Sequence, residues 1–124
     1  MKVMTMVRSS EEREGKLGPP PQAMIDAVEK LSEDAAKAGI AVMRGGLREA
    51  AAGVIVSSAG GKVTVTDGPF AEAKEVVGGF AIFNVASKQE AVDWAVRLME
   101  LHREHWPEWE GSCEIREIWG DPSD

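Results

Sequence analysis

One cysteine, Cys113, is all the thiol chemistry that the 124-residue sequence carries. A lone thiol excludes an internal disulfide and a cysteine-rich zinc cluster, and it fits a reducing compartment, so a cytoplasmic location is expected. Tyrosine is absent and there are two histidines, His102 and His105, so imidazole chemistry is confined to one short segment. No apolar run approaches the ~20 residues that a bilayer-spanning helix needs, so no membrane association is expected. The opening Met1-Lys2-Val3-Met4-Thr5-Met6-Val7-Arg8 lacks the ~7–15-residue apolar core of a secretory signal. Basic runs are missing as well: 14 Lys and Arg against 21 Asp and Glu leave a net charge of −7. Binding to a phosphate backbone needs clustered cations, so nucleic acid is not an expected partner. There is no phosphate-cradling glycine loop, no serine-centred elbow and no HExxH pair, and no cofactor is expected.

What is present suffices for a core. With 44% hydrophobic and 28% charged residues, the chain reads as one globular domain. The acidic surplus is uneven. Residues 100–124 hold eight acids against Arg103 and Arg116, a net of −6, which leaves −1 for the first 99 residues. This tail reads as a solvated face.

Hydrophobic period gives the order of elements. Residues 1–8 alternate Val3, Thr5 and Val7 with Met4 and Met6, the period of a strand, and both sides are largely apolar. Residues 9–18 are polar and precede Pro19-Pro20-Pro21, which marks a loop whose proline suits a first helical turn. A helix is predicted over 22–38, with Met24, Val28, Leu31, Ala35 and Ala38 on one face and Gly39 as its stop. A short strand over 40–43 ends at Gly45-Gly46. Strands at 54–56 and 63–65 flank Gly60-Gly61, which accept the positive φ of a hairpin turn. After Asp67-Gly68-Pro69-Phe70 and a charged stretch, Gly78-Gly79 opens a strand over 80–85 that is apolar on both faces. Ser87 and Glu90 form a capping box for a helix that ends at or before Trp106, because Pro107 disfavours α geometry there. A last strand is predicted over 114–119.

The skeleton is therefore β-α-β, a hairpin, and β-α-β. Two such halves with both helices on one face make a ferredoxin-like α+β sandwich, whose central strands are the first and the one before the second helix. Those are the two strands that are apolar on both faces. Helices cover one side of such a sheet, so the other needs a mate, and a homodimer is predicted. A lid formed by the hairpin is the alternative.

Projection of residues 91–106 at ~100° per residue puts His102 near the middle of the apolar arc and His105 within it. Both imidazoles are expected to face the sheet, near Trp106. They serve either as helix-end residues against the negative pole of the dipole or as a proton-transfer or ligand-binding site. A metal held by both lacks a third ligand in the sequence. Asp67-Gly68-Pro69-Phe70 has the composition of a turn, with Phe70 as its core anchor. Lys74 follows it among charged residues. Arg44 and Arg48, around Gly45-Gly46, are either surface charges or the grip on an anionic ligand.

Residues 63–75, with Asp67-Gly68-Pro69-Phe70 at their centre and Gly78-Gly79-Phe80 beyond, resemble the signature of the DGPF proteins in the YCII-related family. Gly46-Leu47, Ser87-Lys88 with Glu90-Ala91, and Glu114-Ile115-Arg116 extend the resemblance along nearly the whole chain. It implies a ferredoxin-like fold that dimerises in the manner of dimeric α/β-barrels. It further implies enzymatic activity built on a His and an Asp near a cleft, or a link to extracytoplasmic-function sigma factors. Two positions depart from the pattern: the first helix has no histidine, and Ala73 stands where relatives commonly carry Thr.

The expected function is a small-molecule site between sheet and second helix, with Asp67 as base or orienter and His102 or His105 as acid/base. Phe70, Lys74 and Arg44 are the candidates for substrate binding. Such a site performs lyase- or isomerase-like proton transfer without an organic cofactor. A non-catalytic dimer that binds a partner is the competing expectation. A third makes Asp67 a turn residue that caps backbone N–H groups.

Overall fold

A computed structural model describes residues 1–10, 15–69 and 75–120. The elements are β1 (Lys2–Ser10), α1 (Gln22–Lys37), β2 (Ala41–Gly46), a 3-10 turn (Ala50–Ala52), β3 (Val54–Ala59), β4 (Lys62–Asp67), β5 (Glu75–Asn84), α2 (Lys88–His105) and β6 (Gly111–Glu117). Four strands form one antiparallel sheet in the order β2-β5-β1-β6, while β3 and β4 form a separate hairpin. This is the ferredoxin-like α+β order, with β1 and β5 in the middle as predicted. Within one chain the sheet stays open and closes no barrel.

Local chemistry explains the boundaries. At the end of α1, Gly39 takes φ +75°. Its N–H donates to Ala36 O, and the Ile40 N–H donates to Ala35 O, so two orphan carbonyls are satisfied. At the start of α2, the Ser87 hydroxyl accepts from the Glu90 N–H at 3.2 Å. The Glu90 carboxylate accepts from the Ala86 N–H at 2.9 Å, one residue before the cap position itself. Gly60 and Gly61 hold φ +56° and +77° at the tip of the β3–β4 hairpin. All six strands extend beyond their predicted ranges, and two of them show why. β2 continues through Gly45 and Gly46 because these pair with Phe80 and Gly79 of β5. β5 begins at Glu75 because its first residues pair with Ser9 and Ser10 across a bulge.

The register assigns the faces. Val3, Thr5 and Val7 stand in rows with Phe83, Ala81 and Gly79 of β5, and Thr5 and Val7 also with Ile115 and Cys113 of β6. The helices cover this side, and its core is Val3, Ala35, Ile40, Val85 and Ala91, with Phe83, Trp94 and Ile115 packed around it. Met4, Met6, Phe80 and Ile82 stand on the reverse side with Glu114 and Arg116. The hairpin does not act as a lid: every residue of β3 and β4 is exposed.

Candidate functional site

The core is concentrated in the Val3 row. Beyond it, between the helices and the β2-β5-β1 part of the sheet, lies a cavity of about 520 Å³. Side-chain size explains it. In the Val7 row, Gly46, Gly79, Val7 and Cys113 line up across the four strands. Gly78 is the extra residue of the bulge beside them. Above this floor α1 presents Ser32, Ala35 and Ala36. A Cβ at Gly46 or Gly78 would meet nothing within 4 Å, and neither residue has a positive φ. Neither crowding nor backbone conformation requires glycine there. Its effect is to leave the floor bare.

His102 closes one end. It comes from the last turns of α2 and is 8% exposed. Its Nδ1 lies 2.9 Å from Leu98 O. A carbonyl only accepts, so Nδ1 carries the proton and Nε2 of the neutral ring holds a bare lone pair. The Trp109 ring packs on the imidazole at 4.2 Å between centroids, with Trp106 at 6.5 Å. Burial pushes the His102 pKa below its ordinary value, and the Leu98 carbonyl opposes this less strongly. The ring is therefore neutral at pH 7. Among the described residues Nε2 has no hydrogen-bond partner.

The other wall groups are quieter. The Thr5 hydroxyl donates to Ala81 O at 3.3 Å and the Ser32 hydroxyl to Val28 O at 2.9 Å. Burial raises the Cys113 pKa, against a weaker opposing hydrogen bond with the Met6 backbone, so the residue is a neutral thiol. Arg44 is the one charged side chain on the wall among the described residues. Its guanidinium reaches the Glu29 carboxylate at 2.7 Å in an exposed pair.

The structure thus brings His102 and Arg44 to one cavity. His105 stands apart: its side chain is 30% exposed and lies 4.0 Å from Glu104, off the described cavity wall. Partial burial puts His105 in the same class as Trp94, Leu98 and Leu101 of the apolar arc, at the last residue of α2. Asp67 ends β4, exposed and paired with Val54, and is likewise not among the described lining residues. The adjoining Gly68 is anchored instead to the 3-10 turn, where a Cβ would meet Ala51 O at 2.6 Å. Phe70 and Lys74 lie outside the described residues. Sequence reasoning missed the glycine floor, Trp94 and the wall position of Cys113. Signals for two of them were present: the helical projection puts Trp94 on the same apolar arc as His102, and the alternation of β6 puts Cys113 on the same side as Ile115. Among the described residues no group of three or more His, Cys, Asp or Glu stands close enough to hold a metal ion.

These features define a ferredoxin-like α+β protein with a ligand-sized, largely apolar hollow between its helices and its sheet. Residues 1–119 match the YCII-related domain, and the chain belongs to that family. A comparison with curated proteins returns no match.

Proposed function

We propose that the protein binds a small, mostly apolar molecule in the helix–sheet cavity and that His102 acts on it as the acid–base group. One observation carries this reading: a buried imidazole lines the cavity and has an unpaired Nε2. A buried polar atom without a partner costs roughly 1–3 kcal/mol, so such an atom beside a hollow favours a ligand that satisfies it. A neutral imidazole is also the form that accepts a proton from a bound ligand and returns it. Lyase- or isomerase-like proton transfer is the chemistry that fits this group. The reading gives Asp67 and His105 no direct part, because neither is on the described wall. The uncovered side of the sheet supports pairing with a second copy.

A screen of small ring compounds by two-dimensional NMR tests the reading. Ligands should shift the resonances of Leu98, His102 and Trp94, and Gly46→Leu, which fills the floor, should abolish those shifts while the fold persists. Shifts spread over the surface, or unaltered in the variant, would refute it.

A second reading rests on the hairpin. Val54, Val56, Val63 and Val65 share one of its faces and are 55%, 65%, 72% and 68% exposed. An apolar ladder of this kind, away from the sheet, supports an accessory protein that docks on a macromolecular partner. Val63→Glu would then abolish co-purification of that partner and leave ligand binding intact.

A further inference from the structure

The polarity of the cavity wall narrows the ligand. Among the described residues the two buried polar side chains on the wall, Thr5 and His102, each direct their donor to a backbone carbonyl, Ala81 O and Leu98 O. Half-buried Ser32 does the same with Val28 O. What these three groups have left to offer is lone pairs. The indole N–H of Trp94 is a donor, but that residue precedes His102 by about two helical turns along α2 and packs toward the core beside Phe83 at 6.4 Å. Among the described wall residues no free positive charge complements an anion, because Arg44 is already paired with Glu29. No carboxylate stands among the described wall residues to complement a cation.

Shape narrows it further. The floor at Gly46, Gly78 and Gly79 is peptide backbone without side chains, running from the end of the edge strand β2 to the bulge of the central strand β5. It leaves a slot beneath the small residues of α1 that a thin, planar group fits. An engineered apolar cavity of about 150 Å³ holds one benzene, so about 520 Å³ has room for a molecule of two or more rings.

Resting on the reading of the cavity as a small-molecule site, we infer that its ligand is a neutral, planar aromatic with a hydroxyl group that donates to His102 Nε2. The ring lies on the glycine floor and the hydroxyl points to the imidazole. A phenol-type or enol-type ligand is the class selected. Carboxylates and other permanent anions are disfavoured, because the described buried polar side chains beside the ligand, Thr5 and His102, offer them acceptors. The same hydrogen bond places the hydroxyl proton where the imidazole can accept it.

Three matched probes test this by titration calorimetry on the full chain at pH 8: 2-naphthol, 2-methoxynaphthalene and 2-naphthoate. The first should bind about tenfold more tightly than either of the others, the size of effect that one hydrogen bond to an otherwise unsatisfied buried acceptor produces. His102→Phe should bring the naphthol and methoxynaphthalene affinities together, and His102→Gln, whose side-chain carbonyl still accepts, should keep part of the difference. Equal binding of all three probes to the wild type, or preference for naphthoate, overturns the inferred ligand class and leaves the cavity reading standing. Failure of every probe at millimolar concentration overturns both.

Discussion

At the end of α2, an imidazole packed against an indole connects pH to stability. Burial lowers the pKa of His102 in the folded chain below the ordinary 6.5. Below that value the unfolded chain binds a proton that the folded chain resists. Stability is therefore full above about pH 7 and declines as pH falls through 6.5 toward the lower folded value. The melting temperature should drop between pH 7.5 and pH 5.5, and it should drop less in His102→Gln. His105 and Glu104 are common to both proteins, and Arg44 stays charged throughout, so the difference between the two slopes belongs to His102. Cys113 gives a second residue-scale test. Its thiol is held protonated by burial, so iodoacetamide at pH 7.5 should modify it at least about tenfold more slowly than free cysteine. A rate equal to the free thiol would mean that the β6 wall of the cavity opens readily. How much of this was legible in the sequence follows the geometry of each element. A helix turns by a fixed angle per residue, so the apolar arc of residues 91–106 located His102 correctly. The same arc holds His105, half-buried at the last helical residue, but an arc does not say which residues reach a cavity. Asp67 was singled out by its motif, and a motif does not encode which tertiary surface its segment reaches.

Capping and turn chemistry act within a few residues, and at the scale of elements they were the most readable features. Ser87 with Glu90, Gly39, and the Gly60-Gly61 pair each stand where the pattern placed them. Ser87→Ala should cost about 1 kcal/mol of stability in urea denaturation, because it removes an acceptor from the first turn of α2. An unchanged midpoint would show that solvent replaces the cap in full. Strand ends were read less well, since a strand ends where its neighbour stops pairing, and that neighbour is distant in sequence. The cavity was hidden for a related reason. Gly46, Gly79 and Ala35 are unremarkable singly, and they make a hollow only once the register and α1 bring them together. Gly68 shows the opposite case, a glycine that crowding does require. A Cβ there would approach Ala51 O at 2.6 Å and Ala50 O at 2.9 Å, beside the Gly68 N–H that donates to Gly53 O at 3.0 Å. Gly68→Ala should separate the base of the hairpin from the 3-10 turn. The expected sign is faster amide exchange in β3 and β4, with little change in β1 and β5. Unaltered exchange in the hairpin would mean that the neighbouring carbonyls yield without cost.

A four-stranded sheet covered on one side poses a problem for the whole molecule. On the reverse side Met4, Met6, Phe80 and Ile82 stand half-buried, Met43 is 59% exposed, and the hairpin leaves this surface uncovered. Charges bound the patch and are satisfied within the chain: Arg8 reaches Glu75 and Glu114, each at 2.7 Å. An apolar centre with an internally paired rim has the anatomy of an interface. Four strands about 4.8 Å apart and about seven residues long present roughly 450 Å² in projection. That projection is about half of the ~800 Å² per partner of a stable complex, and the pleat and the side chains add accessible area to it. We therefore expect the protein to sediment at twice its 13.4 kDa chain mass at micromolar concentration. Ile82→Glu puts a charge at the centre of the patch, where water reaches it in a single chain and does not in a pair, so this variant should sediment at 13.4 kDa and remain folded. Val63→Glu, on the hairpin, should leave the paired species unchanged, which separates the sheet face from the valine ladder as the seat of association. A wild-type particle of one chain would remove the dimer and leave the ligand reading standing, because His102 and the glycine floor lie on the helix side of the sheet, opposite the face of Met4 and Met6. For the same reason, monomeric Ile82→Glu should bind 2-naphthol with wild-type affinity, and a large loss of affinity on dissociation would show that the partner shapes the site.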